Sequence, residues 1–120
     1  MQRDRFRRIV FRAMEDLPPQ FRQMIDNVAV VVEREPSAAM RQEAGLGPGE
    51  DLFGLYVGIP LTDRHDYHMV LPDRILIFQG PHERHFPADH LETEIQRTVV
   101  HEVAHCFGID DDRLDALGVG

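Results

Sequence analysis

The sequence is poor in several residue types, and each shortage excludes a class of protein. It has no tryptophan, one cysteine and no lysine among its 13 basic residues. A lone Cys106 excludes an intrachain disulfide and favours a reducing compartment, so we expect a cytoplasmic protein. No apolar run approaches the roughly 18 residues of a membrane span, and none of signal-peptide length follows the charged start. We therefore expect no membrane partner.

Basic residues are also fewer than acidic ones, 13 against 21. The formal net charge is −8, whereas a nucleic-acid-binding surface must neutralise phosphates with basic side chains. We therefore expect no nucleic-acid partner. With 120 residues, 42% apolar and 28% charged, the chain has the size and composition of one ordinary globular domain, residues 1–120.

The most informative stretch is His-Glu-Val-Ala-His-Cys-Phe-Gly-Ile-Asp-Asp at residues 101–111. On a helix, His101 and His105 lie one turn apart on the same face, where two imidazoles can hold one metal ion. Glu102 is one position further round, within reach of an attacking water. Gly108 can end the helix in a left-handed conformation. The following turn could then bring Asp110, Asp111 or Asp112 to the metal as a third ligand.

The surrounding sequence predicts that this motif lies on a long helix. Apolar residues recur at spacings of three and four from Pro87 to Phe107, and this stripe includes Cys106. On a helical wheel, His101 and His105 fall on the opposite side with Glu94, Arg97 and Thr98. Asp89 followed by Glu92 resembles a capping box and predicts a start near residue 88.

The rest of the chain predicts two further helices and three strands. An amphipathic helix covers the first 17 residues and is expected to lie on one face of the sheet, and a short helix runs from Pro19 to Asn27. Strands are expected at Val28–Val32, Leu52–Ile59 and Ile75–Phe78. Residues 35–50 and 60–73 are expected to be loops, and Pro81–Phe86 a connection to the long helix.

Three segments resemble a family of small bacterial zincin-like metallopeptidases. They are the 101–114 stretch, residues 52–62 (Leu-Phe-Gly-Leu-Tyr-Val-Gly-Ile-Pro-Leu-Thr) and residues 71–81 (Leu-Pro-Asp-Arg-Ile-Leu-Ile-Phe-Gln-Gly-Pro). The similarity covers roughly residues 50–118. It implies a minimal zincin-like α+β fold, in which a small mixed sheet of three to four strands packs against an N-terminal helix and a metal-binding active-site helix.

The resemblance also implies a site and an activity. Zn²⁺ would be held by His101, His105 and Asp111, with Glu102 as the general base of peptide-bond hydrolysis. The substrate would be a peptide or protein, and an extended peptide would pair with the Leu52–Ile59 region. Unlike metzincins, this chain has an aspartate at the third-ligand position and no methionine after residue 69.

Two other functions stay open. A zinc-dependent ribonuclease has a related motif, but it has glycine at the position of Glu102 and would need a basic cleft. A non-catalytic zincin scaffold would bind without cleaving. Among the other histidines, His68 with Tyr67 could stabilise an oxyanion, and His82 with His85 could form a second metal site. For these histidines and Tyr67, exposure on a loop is the simpler interpretation.

Overall fold

The computed structural model describes residues 1–25, 27–58 and 73–109, except for the side chain of Met24. Its helices and strands follow the order α1 Arg3–Glu15, α2 Pro19–Met24, β1 Ala29–Glu33, α3 Ala38–Glu43, β2 Gly54–Val57, β3 Arg74–Phe78, α4 Gln79–His85 and α5 Ala88–Cys106. The expected α+β fold, with a small mixed sheet and two packed helices, is confirmed. Within the described ranges, no helix is long and apolar enough to cross a membrane.

The three strands form a sheet with the order β1-β3-β2. β1 is parallel to β3, and β2 is antiparallel to it. The central strand β3 is the most apolar, and its residues from Ile75 to Phe78 are buried, as expected for a strand with neighbours on both sides. Among the described residues, β2 pairs only with β3 and therefore forms an outer edge of the sheet.

Alternation along β3 divides the core between the two faces of the sheet. Ile75 and Ile77 point toward α1 and α5, whereas Leu76 and Phe78 point toward the side of α3. Both long helices supply the first face with apolar side chains at helical spacing: Phe6, Ile9, Val10 and Ala13 from α1, and Leu91, Ile95, Val99, Val103 and Cys106 from α5. The predicted placement of the N-terminal helix over the sheet is therefore correct.

Three local predictions were wrong. Residues 35–50 contain helix α3, which begins because the Ser37 side chain accepts a hydrogen bond from the Met40 N–H at 3.1 Å. The connection before the long helix is itself a helix, α4, and Pro81 fits its first turn, where a missing N–H costs nothing. Finally, α5 begins at Ala88, as predicted, but it has no side-chain cap, so Asp89 does not form the expected capping box.

Candidate active site

Helix α5 places the side chains of the 101–105 motif in one cleft. The cleft has a volume of about 500 Å³ and lies between α5, β2 and the segment that leads into β2. From α5 it is lined by Glu94, Arg97, Thr98, His101, Glu102 and His105. This is the face that the helical wheel predicts to lie opposite the apolar stripe. Cys106 is fully buried in the core on the other side, so it does not line the cleft.

The two histidines lie side by side along the cleft wall. Their ring centroids are 6.0 Å apart, and the ring planes differ by 24°. Glu102 is almost completely buried, with 6% of its surface exposed. His105 Nδ1 lies 3.2 Å from Glu102 Oε1. If Nδ1–H donates this hydrogen bond, Nε2 of His105 keeps its lone pair for a metal ion.

Strand β2 approaches α5 closely at Gly54. A Cβ atom at this position would lie 2.9 Å from both Glu102 Cγ and Thr98 Cγ2, and 3.2 Å from the Leu76 carbonyl oxygen. Only a residue without a side chain allows the strand to lie directly on the helix here. The sequence shows this glycine, but it does not show which helical residues the glycine faces.

Backbone pairing sets the direction of the polar groups on β2. The Phe78 N–H donates to the Phe53 carbonyl at 3.0 Å, and Leu55 lies opposite Leu76 in the sheet register. Because hydrogen-bonded pairs alternate along an antiparallel ladder, the N–H and C=O of Gly54 point away from β3. The outer edge of β2 therefore presents backbone groups beside the cleft.

The cleft is not basic. Its described lining contains three carboxylates, on Asp51, Glu94 and Glu102, and one arginine, Arg97. This is the wrong charge for binding a polyphosphate backbone and counts against the ribonuclease alternative. A second groove of about 400 Å³ lies between α1, α2 and α5, but its lining is apolar apart from Asp16 and Gln96.

A family model of zincin-like metallopeptidases matches residues 25–120, which is everything after the first 24 residues. The chain belongs to the zincin-like metallopeptidase family. A search of the curated proteins found no significant match. Membership in this family implies zinc binding in general.

The residues of this zincin-like chain fit a zinc ion. Zinc prefers imidazole nitrogens at about 2.0–2.1 Å, so two imidazoles on one tetrahedral ion have ring centroids about 5 Å apart. The ring centroids of His101 and His105 are 6.0 Å apart, about 1 Å more than this distance. The expected third ligand, Asp111, lies outside the described residues, as do its alternatives Asp110 and Asp112. The described residues alone contain no group of three metal-binding side chains.

An ion-pair cluster that the sequence analysis missed fixes one end of the cleft. Asp51 accepts hydrogen bonds from Arg84 Nη2 at 2.8 Å and from its neighbour Leu52 N–H at 3.1 Å. Arg41 Nη2 lies 3.2 Å from Asp51 Oδ1, and His85 Nε2 lies 3.0 Å from Asp51 Oδ2. Burial alone would raise the pKa of Asp51, but these hydrogen bonds lower it below its ordinary value.

The predicted pairing of His82 with His85 in a second metal site is wrong. His82 is fully buried, and its two nitrogens lie 2.7 Å from the Phe78 carbonyl and 2.8 Å from Thr98 Oγ1. His85 instead contacts Asp51. Burial lowers the pKa of His82 and favours its neutral form. Neutral His82 donates from Nδ1 to the Phe78 carbonyl, and its Nε2 contacts the Thr98 hydroxyl.

The remaining histidines are less central. His90 lies on the first turn of α5 with two thirds of its side chain exposed, and the described lining of the cleft does not include it. His65, Tyr67 and His68 lie outside the described residues, so the proposed oxyanion role of the last two stays a prediction.

Proposed function

We propose that the protein is a zinc-dependent peptidase that hydrolyses peptide bonds with Glu102 as its general base. The observation that carries the proposal is the meeting of His101, Glu102 and His105 on the wall of one cleft beside an outer sheet edge. Membership in the zincin-like family supports the same activity.

The proposed metal ligands are His101, His105 and an aspartate after Gly108, with Asp111 as the candidate. When bound, zinc would polarise the scissile carbonyl and lower the pKa of the attacking water. Gly108 has a φ of +77°, and the Gly108 N–H donates to the His105 carbonyl at 2.9 Å. This left-handed turn ends the helix and redirects the chain, as the proposed ligand set requires.

Glu102 is the proposed proton carrier. Its carboxylate accepts the proton of the attacking water and delivers it to the leaving amine, so that one side chain serves as base and then as acid. Its low exposure keeps the carboxylate in one place between α5 and Gly54. The outer edge of β2 would hold the substrate as an additional strand, with the scissile bond above the histidines.

Cleavage by the zinc-loaded chain tests this proposal. Wild type is incubated with a digest of denatured protein, and new termini are identified by mass spectrometry. Glu102→Gln should keep one zinc per chain but lose at least about 10²-fold in rate. His101→Ala should lose both zinc and cleavage. His90→Ala is the matched control, since it removes an exposed histidine from the same helix and should change neither.

Three results would overturn the proposal. Full zinc occupancy without any cleavage would leave the scaffold interpretation, and equal cleavage by wild type and Glu102→Gln would remove the proposed base. Failure to bind zinc at micromolar free metal would exclude the zinc enzyme altogether.

A further inference from the structure

Arg97 is the only arginine or lysine among the described residues that line the cleft. It lies four residues before His101, so Arg97, His101 and His105 form one row along the cleft face of α5. The row advances about 5.4 Å per helical turn. A guanidinium group therefore stands one turn from the nearer proposed metal ligand.

The side chain is available to a ligand. Arg97 is 54% exposed, and its one ion pair within the described ranges is with Glu94 on the preceding turn, with Nη1 and Oε1 3.5 Å apart. A guanidinium group has five N–H donors, and among the described residues only this 3.5 Å contact involves them. An incoming carboxylate could bind Arg97 through two parallel hydrogen bonds without breaking any core contact.

The nearby carboxylates do not all compete for this cation. Asp51 is already paired, because Arg84 Nη2 lies 2.8 Å and Arg41 Nη2 3.2 Å from its carboxylate oxygens. Most of the uncharged residues in the described lining are apolar, and they include Leu46, Leu52, Phe53, Leu55 and Phe86. A substrate in the cleft would therefore meet apolar walls and one partly exposed positive charge beside the scissile bond.

We propose that Arg97 is a specificity-determining residue that selects peptides with a carboxylate side chain next to the scissile bond, on the side nearer the start of α5. This inference rests on the proposed peptidase function. It goes further because it predicts acidic substrates, although the net charge of −8 alone would favour cationic ones.

The first experiment measures cleavage by the zinc-loaded full-length chain. A peptide that wild type cleaves is made in versions with Glu, Gln or Lys at the residue on either side of the scissile bond. We expect Glu to exceed Gln about fivefold in kcat/KM at one of these positions, mostly through KM, as one partly exposed ion pair allows. Raising the salt from about 0.05 to about 0.5 M should shrink this ratio.

Variants of the chain separate charge from structure. Arg97→Gln should remove the preference, Arg97→Lys should keep part of it, and Arg97→Glu should reverse it toward Lys. Glu94→Gln should strengthen it, because the competing carboxylate is gone. Arg8→Gln is the control, since Arg8 is an exposed arginine of α1 outside the cleft and should leave the ratio unchanged.

A binding readout makes the inference independent of turnover. Fluorescein-labelled alanine hexapeptides with a central Glu, Gln or Lys are titrated with the zinc-loaded Glu102→Gln chain, and anisotropy is measured. We expect affinity in the order Glu, Gln, Lys, with no difference once Arg97→Gln is added.

The outcomes of the two experiments are distinct. Glu102-dependent cleavage with Glu and Gln within twofold of each other would overturn the role of Arg97 and leave the peptidase. Absence of Glu102-dependent cleavage would overturn the peptidase. In that case the hexapeptide titrations test Arg97 separately. Equal affinity for all three hexapeptides would also overturn Arg97 as a carboxylate-binding residue, whereas the order Glu, Gln, Lys would support it.

Discussion

The contact between Gly54 and helix α5 gives the sharpest structural prediction. In Gly54→Ala, the added methyl carbon would lie 2.9 Å from Glu102 Cγ and from Thr98 Cγ2. Carbon atoms normally approach to about 3.5–4.0 Å, so each contact is too short by roughly 0.6–1 Å. The Leu76 carbonyl at 3.2 Å blocks movement toward the central strand.

The cost follows from which groups can move. Thr98 is held by its hydrogen bond to the Glu94 carbonyl at 3.0 Å and by its contact with His82. Either β2 lifts from the helix or Glu102 is displaced. We expect the free energy of unfolding to fall by about 1–3 kcal/mol, as for other overpacked sites. Displacing Glu102, the proposed general base, by about 1 Å should lower kcat on the order of 10²-fold.

Urea denaturation and peptide cleavage by the zinc-loaded chain measure the two effects. Gly47→Ala is the matched control, since its nearest neighbour is Glu50 Oε1 at 3.4 Å and its φ is not positive. It should stay within about 0.5 kcal/mol of wild type. If Gly54→Ala matched wild type in both stability and cleavage, the assigned packing of β2 on α5 would be refuted.

Three further predictions concern acid, charge and metal. Burial lowers the pKa of His82 in the folded chain, so the unfolded chain binds more protons at acidic pH. The difference in unfolding free energy between wild type and His82→Asn should therefore be constant above pH 6.5. As pH falls through 6.5, wild type should lose stability relative to His82→Asn. Urea titrations at several pH values would detect this, and parallel curves would contradict it. Asp51→Asn should lose about 1–3 kcal/mol at pH 7, because Arg84 and Arg41 lose a buried charged partner, and wild type should lose this advantage only as pH falls below about 3.8. Zinc at about 100 times its Kd should stabilise wild type by about 2.7 kcal/mol in thermal unfolding, and a chelator or His101→Ala should remove the effect.

Strong periodicity explains what could be predicted from the sequence. The apolar stripe of α5 extends over about four turns, from Leu91 to Cys106, so it defined both the helix and the face on which His101 and His105 lie. The three strands were placed within about two residues, because each has β-branched or apolar residues bounded by turn residues. Proline at positions 18 and 19 separated α1 from α2.

The missed features depend on contacts distant in sequence. Asp51 and Arg84 are 33 residues apart, and no local pattern indicates that they meet. His82 was assigned to an exposed segment because α4 was not recognised, since its seven residues are too few for a clear helical period. α3 is equally short, and only the Ser37 cap indicates its start. The helical wheel placed Arg97 on the correct face of α5, but only the fold shows which residues of other elements line the cleft with it.

The most direct test of the zinc site is a crystal structure of the zinc-loaded chain with data collected on both sides of the zinc absorption edge. We predict one anomalous peak about 2.0–2.1 Å from a nitrogen of His101 and of His105, with a carboxylate from residues 110–112 as third ligand and Glu102 outside the ligand set. A peak at His85 and Asp51 instead, a peak bound directly by Glu102, or no peak at full zinc concentration would contradict the proposed metal centre.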